Sequence, residues 1–148
     1  MTTNAIDIRE IKYETEDYSL ELTLRDHVLR KPLGLSLYDE NLKDEKDDFH
    51  IGAYANDHLV GVLILTKQNE NEIKMRQVAV SEQWRYIKAG TALVGHAEHY
   101  AKNEGYETML LHARKTARDF YLKLGYESVG EEFLEISIPH YCMRKSLV

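Results

Sequence analysis

The run Val78-Ala79-Val80-Ser81-Glu82-Gln83-Trp84-Arg85-Tyr86-Ile87-Lys88-Ala89-Gly90-Thr91 holds the residues best suited to grip a phosphate. A buried strand is predicted to end near Val80 and a helix to begin near Lys88 or Ala89. The first amides of a helix have no partner inside it and carry partial positive charge. A loop that feeds such a start is a ready anion site. Gly90 lets a ligand approach the backbone, and Arg85 and Lys88 add full charges. Taken alone, the pattern also fits a helix that merely follows a strand. Other reactive residues offer less. Cys142 is a lone thiol in a strand-like stretch and reads as core or edge filler. His96 and His99, three apart on a helix, have the spacing of two metal ligands but no evident third, so no metal is expected. No Gly-x-Ser-x-Gly element or paired-cysteine motif competes.

The elements that must position this loop follow from periodicity. Ile6, Ile8 and Ile11 suggest a first strand. Tyr18 to Arg30 reads as a helix, with Leu20, Leu24 and Val28 every four residues, Leu22 and Leu29 beside them, and Pro32 and Gly34 to stop it. The charged run Asp39 to Asp48 reads as an exposed loop. Strands are predicted over Phe49–Ala55, Leu59–Thr66 and Glu72–Val80, joined by the polar turns Asn56-Asp57 and Gln68–Asn71. In the third strand Ile73, Met75, Gln77 and Ala79 should face one way, and Lys74, Arg76, Val78 and Val80 the other. Ala89 to about Glu104 is a helix with Ala89, Leu93, Ala97, Tyr100 and Ala101 along one side, a Glu98–Lys102 pair on another, and Gly105 as its left-handed stop. A central strand over Thr108–Ala113, a short helix from Thr116 to Leu124 ended by Gly125, and strands near Tyr126–Val129 and Phe133–Arg144 complete the order. This is an α+β pattern: a meander, a strand–helix–strand crossover and a C-terminal hairpin.

The totals agree. The chain has 148 residues, 43% hydrophobic and 30% charged, without repeats or a Pro/Gly/Ser linker, and reads as one domain over 1–148. A net charge of −6 argues against nucleic acid as a partner. No stretch approaches the roughly 18 apolar residues of a membrane span. The start lacks the basic and apolar regions of a signal peptide. With a single cysteine, these features predict a cytoplasmic protein.

Two segments resemble the GNAT acetyltransferase superfamily. Arg85-Tyr86-Ile87-Lys88-Ala89-Gly90 is similar to its coenzyme-A loop, Q/R-x-x-G-x-G/A, with Arg85 first and Gly90 last. His112 to Tyr126 resembles its strand–helix–strand motif, A-x-x-F-Y-x-K-x-G-[FY], with Ala117, Phe120, Tyr121, Lys123, Gly125 and Tyr126 in register. The tail from Gly130 through Ile138-Pro139-His140 to Met143 resembles a bacterial branch with ElaA-like members. Together these cover about Met75 to Lys145. The resemblance implies an acyl-CoA N-acyltransferase fold with a mixed, mostly antiparallel central sheet flanked by helices. It implies acetyl-CoA as co-substrate, without a metal, and a primary amine as acceptor, whether a small molecule or a peptide. Val78, Ala79 and Val80 would bond the pantetheine arm. The amides of Arg85, Tyr86, Ile87, Lys88, Ala89, Gly90 and Thr91 would hold the pyrophosphate, with Phe120 and Lys123 also on the cofactor side. Val78 N–H would face the oxyanion, and Tyr121 would protonate the leaving thiolate. His112, Glu72, His50 and His140 are candidate bases, His112 foremost by its place at the end of the central strand. A homodimer is common among such proteins. The acidic run Asp39 to Asp48 could attract a cationic amine. One departure stands out: Lys88 replaces the middle glycine. It must adopt a tamer conformation or accept strain, and its ammonium could reach the pyrophosphate or its bulk narrow the groove. That departure favours the alternative function, a module of the same fold that binds acyl-CoA or a protein partner without catalysis.

Overall fold

The computed structural model describes residues 6–148, with the backbone alone for Tyr86 and Ile87. Thr15 opens the first helix by accepting a hydrogen bond from Tyr18 N–H at 3.3 Å, with Glu16 and Asp17 in the turn where the helix dipole favours acids. In chain order the elements are β1 (Asp7–Ile11), α1 (Glu16–Leu29), β2 (Phe49–Ala55), β3 (His58–Lys67), β4 (Glu72–Val80), α2 (Ala89–Asn103), β5 (Thr108–Arg114), α3 (Arg118–Lys123), β6 (Glu127–Glu135) and β7 (Ile138–Ser146). They form one seven-stranded sheet in the order β1-β2-β3-β4-β5-β7-β6. Every pairing is antiparallel except β4 with β5, whose parallel register requires the α2 crossover. The mixed, mostly antiparallel sheet with flanking helices is the predicted architecture. No helix among the described residues is long and apolar enough to cross a membrane.

The two faces of the sheet are packed by different chemistry. On one, α2 buries Ala89, Leu93, Val94, Ala97 and Ala101 against Ile51, Leu63, Met75, Met109 and Leu111, close to the stripe read from the sequence. Gly61 makes this approach feasible, because a Cβ there would sit 2.9 Å from Leu93 Cδ1. Glu98 corrects one expectation. It bonds Tyr126 Oη at 2.8 Å and Lys145 Nζ at 2.9 Å, tying α2 to the C-terminal hairpin rather than to Lys102.

The α1 face is different. Leu20, expected in the apolar stripe, is 47% exposed, while the fully buried positions are Glu21 and Arg25. Leu22, Leu24, Val28 and Leu29 pack partly on Ile11, Val62 and Ala79. Arg25 donates to Glu21 Oε2 at 2.8 Å and to both oxygens of Glu45 at 2.7 Å. Tyr18 Oη donates to Glu45 Oε1 at 2.9 Å. His50 places Nδ1 2.9 Å from Glu21 Oε2 and Nε2 2.8 Å from the Glu45 carbonyl. Both ring nitrogens face pure acceptors, so both carry protons and the ring is an imidazolium. Burial works against that charge, but the bond and charge of Glu21 and the contacts to Glu45 outweigh it and raise His50 above its ordinary value near 6.5. Two carboxylates thus meet two cations out of water. The ligand atoms of Glu21, Glu45 and His50 lie within 4.8 Å of one another, a spacing a metal could use, but Arg25 already bonds both carboxylates. The run Asp39 to Asp48 is therefore not simply an exposed loop. It contains short 3₁₀ turns and sends Glu45 into the interior, while Asp26 Oδ1 accepts from Leu37 N–H at 2.8 Å and Arg30 bonds Glu40.

β4 and the C-terminal hairpin depart from the sequence pattern. The alternation predicted for β4 breaks at Gln77, which has φ 55°. Ile73 and Met75 face α2, whereas Ala79 faces α1. The C-terminal hairpin turns at Ile136-Ser137, with φ 46° and 65°, so Phe133–Glu135 belongs to β6 and β7 begins at Ile138. Asn56-Asp57 makes the same kind of turn with residues that favour it, whereas a β-branched residue at positive φ is uncommon.

The buried network makes a sharp stability prediction. Arg25→Met should destabilise the protein by about 3–5 kcal/mol in urea unfolding, because it strands two buried carboxylates. His50 is favoured in its charged form by the fold. Its contribution is therefore full below the unfolded pKa near 6.5 and is lost as pH rises through the higher folded value. The stability gap between wild type and His50→Gln should shrink as pH is raised above about 6.5. A gap that widened instead would show that His50 is held neutral.

Candidate active site

The parallel ladder between β4 and β5 runs from Glu72↔Thr108 to Met75↔Leu111 and stops. Beyond it Gln77 and Val78 together oppose Leu63 of β3, an extra residue that bends β4 and increases its twist. β5 meanwhile stays in register with β7 as far as Arg114↔His140. One strand turns away while its neighbour is held, and a wedge opens between Arg76–Val80 and His112–Arg114.

Two cavities occupy that wedge. The larger, about 520 Å³, is lined by Ala79, Val80, Arg85, Lys88, Gly90, Thr91, Thr116 and Phe120, with Val28 beside them. The smaller, about 150 Å³, lies on the α1 side of the sheet and is lined by Arg30, Arg76, Gln77, His112, Glu135, Ile136 and His140, among others. Leu29, Val78, Arg114 and Tyr121 line both, so the cavities meet at these four side chains.

The larger cavity ends at the start of α2. A 3₁₀ helix over Glu82–Ile87 leads into Lys88, which sits at the N-cap with φ 63° and ψ 31°. Lysine thus takes the left-handed conformation that glycine adopts freely, at a cost of about 1–3 kcal/mol. The turn is kept and the side chain stays exposed at the cavity's edge. Among the described residues no side chain caps α2. Its first intrahelical bond runs from Ala92 N–H to Lys88 C=O, so the amides of Ala89, Gly90 and Thr91 precede the ladder. Gly90 forms part of the floor, where a Cβ would sit 3.4 Å from Phe120 Cζ. Arg85 is exposed and steadied by a 3.3 Å bond to Val80 C=O.

At the junction, Tyr121 is 6% exposed and packs edge-on against Phe120 and Tyr126. Burial pushes its ionisation well above the ordinary phenol value. In the smaller cavity His112 Nδ1 lies 2.8 Å from Glu135 Oε1, while His140 Nε2 is 3.7 Å from Glu135 Oε2. Burial raises the Glu135 carboxyl, but the hydrogen bond from His112 and the nearby cations outweigh it and hold Glu135 below its usual range. Lys74 Nζ approaches His112 Nδ1 at 3.4 Å, and burial lowers that lysine. Since a carboxylate only accepts, the short contact to Glu135 places a proton on Nδ1, and among the described residues Nε2 has no hydrogen-bond partner.

Most residues singled out in the sequence converge here. Val78, Ala79, Val80, Arg85, Lys88, Gly90, Thr91 and Phe120 line the larger cavity, and Tyr121 joins it to the smaller one with His112. Ala89 is fully buried in the core beneath and can offer only its amide. The backbones of Tyr86 and Ile87 lie in the 3₁₀ turn, and their side chains are outside the described residues. Lys123 is exposed at the end of α3 and lines neither cavity. Among the candidate bases, Glu72 sits at the paired end of β4 and His50 is enclosed in the α1 network, while His140 lines the smaller cavity. His96 and His99 are exposed on α2. No sequence pattern marks Glu135, Gln77 or Arg114 for a role. Glu135 reaches His112 from β6, across β7, and nothing in a glutamine announces a positive φ.

A model of the Acetyltransferase (GNAT) domain matches residues 14–147. The chain is 27% identical over 146 residues to the uncharacterized N-acetyltransferase YitI of Bacillus subtilis, covering 90% of this chain and 96% of that protein. Its fold is similar to the crystal structure of Escherichia coli ElaA, with a TM-score of 0.81 at 23% identity over 95% of this chain and 99% of that one. It is similar also to an aminoglycoside 6'-N-acetyltransferase complexed with coenzyme A, with a TM-score of 0.78 at 20% identity over 96% and 97% of the two chains.

The left-handed lysine can be tested directly. Lys88→Gly should stabilise the protein by about 1 kcal/mol in urea unfolding, since the backbone strain is relieved and the exposed side chain loses no packing. An unchanged or lower stability would mean that the lysine side chain contributes as much as its backbone costs.

Proposed function

The chain belongs to the GNAT acetyltransferase family, and on that premise we propose that it moves an acetyl group from acetyl-CoA to a primary amine by direct attack while both substrates are bound. The observation that carries this reading is the meeting of two cavities at Val78 and Tyr121. One is edged by helix-start amides and two cations, the other by a histidine and a carboxylate.

The larger cavity suits a coenzyme-A thioester. Amides of Ala89, Gly90 and Thr91, with Arg85 and Lys88, offer donors and charge to a diphosphate. The edge of β4 beyond Met75, which β5 leaves unpaired, offers backbone groups to an extended pantetheine arm. The coenzyme A bound by the aminoglycoside 6'-N-acetyltransferase of similar fold supports this assignment. Lys88 in place of a glycine would favour a module without catalysis if it disrupted the turn or filled the cavity. Its left-handed conformation keeps the turn and leaves the cavity open, which favours the transferase.

In the chemical step the amine enters from the smaller cavity. His112 Nε2, freed by the Nδ1 contact to Glu135, takes its proton. The nitrogen lone pair attacks the thioester carbonyl, and Val78 N–H stabilises the oxyanion. As the new C–N bond forms and the C–S bond breaks, Tyr121 Oη donates a proton to the departing sulfur, and the second proton shed by the new amide nitrogen restores the phenol. Burial keeps Tyr121 protonated at neutral pH, as that role needs.

Acetyl-CoA at 100 times its Kd should add about 2.7 kcal/mol to the unfolding free energy. Tyr121→Phe should keep that stabilisation while kcat falls by about 100-fold or more. Wild-type turnover in this variant would remove Tyr121 from the acid role, and no response to acetyl-CoA at millimolar concentration would remove the transferase reading itself.

A further inference from the structure

We propose that the acceptor is a small amine that also bears a carboxylate, an amino-acid-type zwitterion whose carboxylate docks on Arg114; the proposal rests on the acetyl-transfer reading above. The smaller cavity is lined by three arginines, and their partners differ. Arg30 is bonded to Glu40 at 2.6 and 3.2 Å. Arg76 has Asp48 at 3.7 Å and Thr66 Oγ1 at 3.3 Å. Arg114 donates from Nη2 to the Leu29 carbonyl at 2.8 Å, and among the described residues no carboxylate pairs with it. That leaves most of its five N–H donors for something else. It is partly buried, and its burial and the charge of Arg30 work against its own and outweigh the favourable charge of Glu135, which bonds His112 instead. A cation so placed is stabilised by an anion arriving with the substrate, and a planar carboxylate matches its fork.

The opposite chemistry lies along the same wall. His112 and Arg114 are two residues apart on β5 and point to the same face, so their Cα atoms are about 6.6 Å apart. Glu135 is held against His112, and Gln77 Oε1 is buried without a hydrogen-bond partner among the described residues. An ammonium group would find acceptors at the Glu135 and Gln77 end and its proton acceptor at His112. A carboxylate a few bonds away would reach Arg114. The strand itself thus measures the distance between amine and acid. The cavity, about 150 Å³, falls below the roughly 300–1,000 Å³ typical of drug-sized sites and suits a compact head group.

Arg114 also lines the larger cavity, so the competing assignment is a grip on the coenzyme. Acceptor kinetics separate the two. Glycine, β-alanine, 4-aminobutyrate and leucine would each be assayed beside the carboxamide and the decarboxylated amine, with O-phosphoethanolamine as a phosphate-bearing probe, by thiol release from acetyl-CoA. At least one carboxylate should exceed its amide and amine in kcat/KM by about tenfold or more. Arg114→Gln should raise KM for that carboxylate by about tenfold or more, with Arg114→Lys between. The variants should leave the stabilisation by acetyl-CoA unchanged. Amides used as well as acids, preference for the phosphate probe, or an Arg114→Gln effect on acetyl-CoA rather than on the acceptor would each overturn the proposal. If no acceptor turns over, calorimetric titration of the same amino acids into CoA-saturated protein decides. Binding of a carboxylate, and not its amide, that is lost in Arg114→Gln supports the proposal, and absence of binding at millimolar concentration overturns it. Failure of the acetyl-transfer reading is read separately, as no stabilisation of wild type by acetyl-CoA.

Discussion

The architecture depends on one geometric event, the end of pairing between β4 and β5 after Met75 and Leu111. A continuous ladder would fill both strands' hydrogen-bonding edges and close the sheet. The bulge at Gln77 prevents that on one side, and the register of β5 with β7 holds the other side in place. Backbone groups that the sheet would otherwise consume become available for a ligand. The two cavities that fill the wedge meet there at Leu29, Val78, Arg114 and Tyr121.

Keeping such a gap open requires a firm surround, and the molecule supplies it with two kinds of packing. α2 is pressed on the sheet by small and branched apolar residues, with Gly61 allowing Leu93 to settle close to β3. α1 carries a buried ion network instead, in which Arg25 and His50 balance Glu21 and Glu45. Such a network stabilises less than an apolar face of equal size, but it is directional. It fixes α1 to β2 and to the 3₁₀ turn around Glu45, and it thereby sets where Leu29 and Arg30 stand at the end of the helix. Those two residues form one wall of the smaller cavity, and the Leu29 carbonyl orients Arg114.

Three of the seven non-glycine residues with positive φ among the described residues border the same wedge. Gln77, Lys88 and Ile136 all have positive φ, and each lines one of the cavities. Residues in such conformations persist where neighbouring structure over-determines them, and they cluster at sites where geometry serves chemistry. Here Gln77 bends the strand, Lys88 changes the chain direction at a helix start, and Ile136 turns the hairpin that presents Glu135 to His112.

Local patterns were enough to read the sheet's meander, the crossover helix, the loop into α2 and the Phe120-Tyr121 segment, because each depends on residues near one another in the chain. Periodicity placed Leu93 and Ala97 on the buried side of α2, and Gly105 and Gly125 marked where helices end. The same reasoning misplaced Leu20 on α1, because Leu24 and Val28 do pack on the sheet while the positions that bury fully, Arg25 and Glu21, find their partners Glu45 and His50 twenty and twenty-nine residues away. It also carried a strict alternation through β4, because nothing in the type of residue at Gln77 signals a left-handed backbone. The membership of His112 in a pair with Glu135, the exposure of Arg114 to both cavities and the separation of His50 from the site were decided by the tertiary structure alone. Sequence determines what a residue can donate, accept or bury; which groups then face one another across strands far apart in the chain is set by sheet register and by the bulge that shifts it.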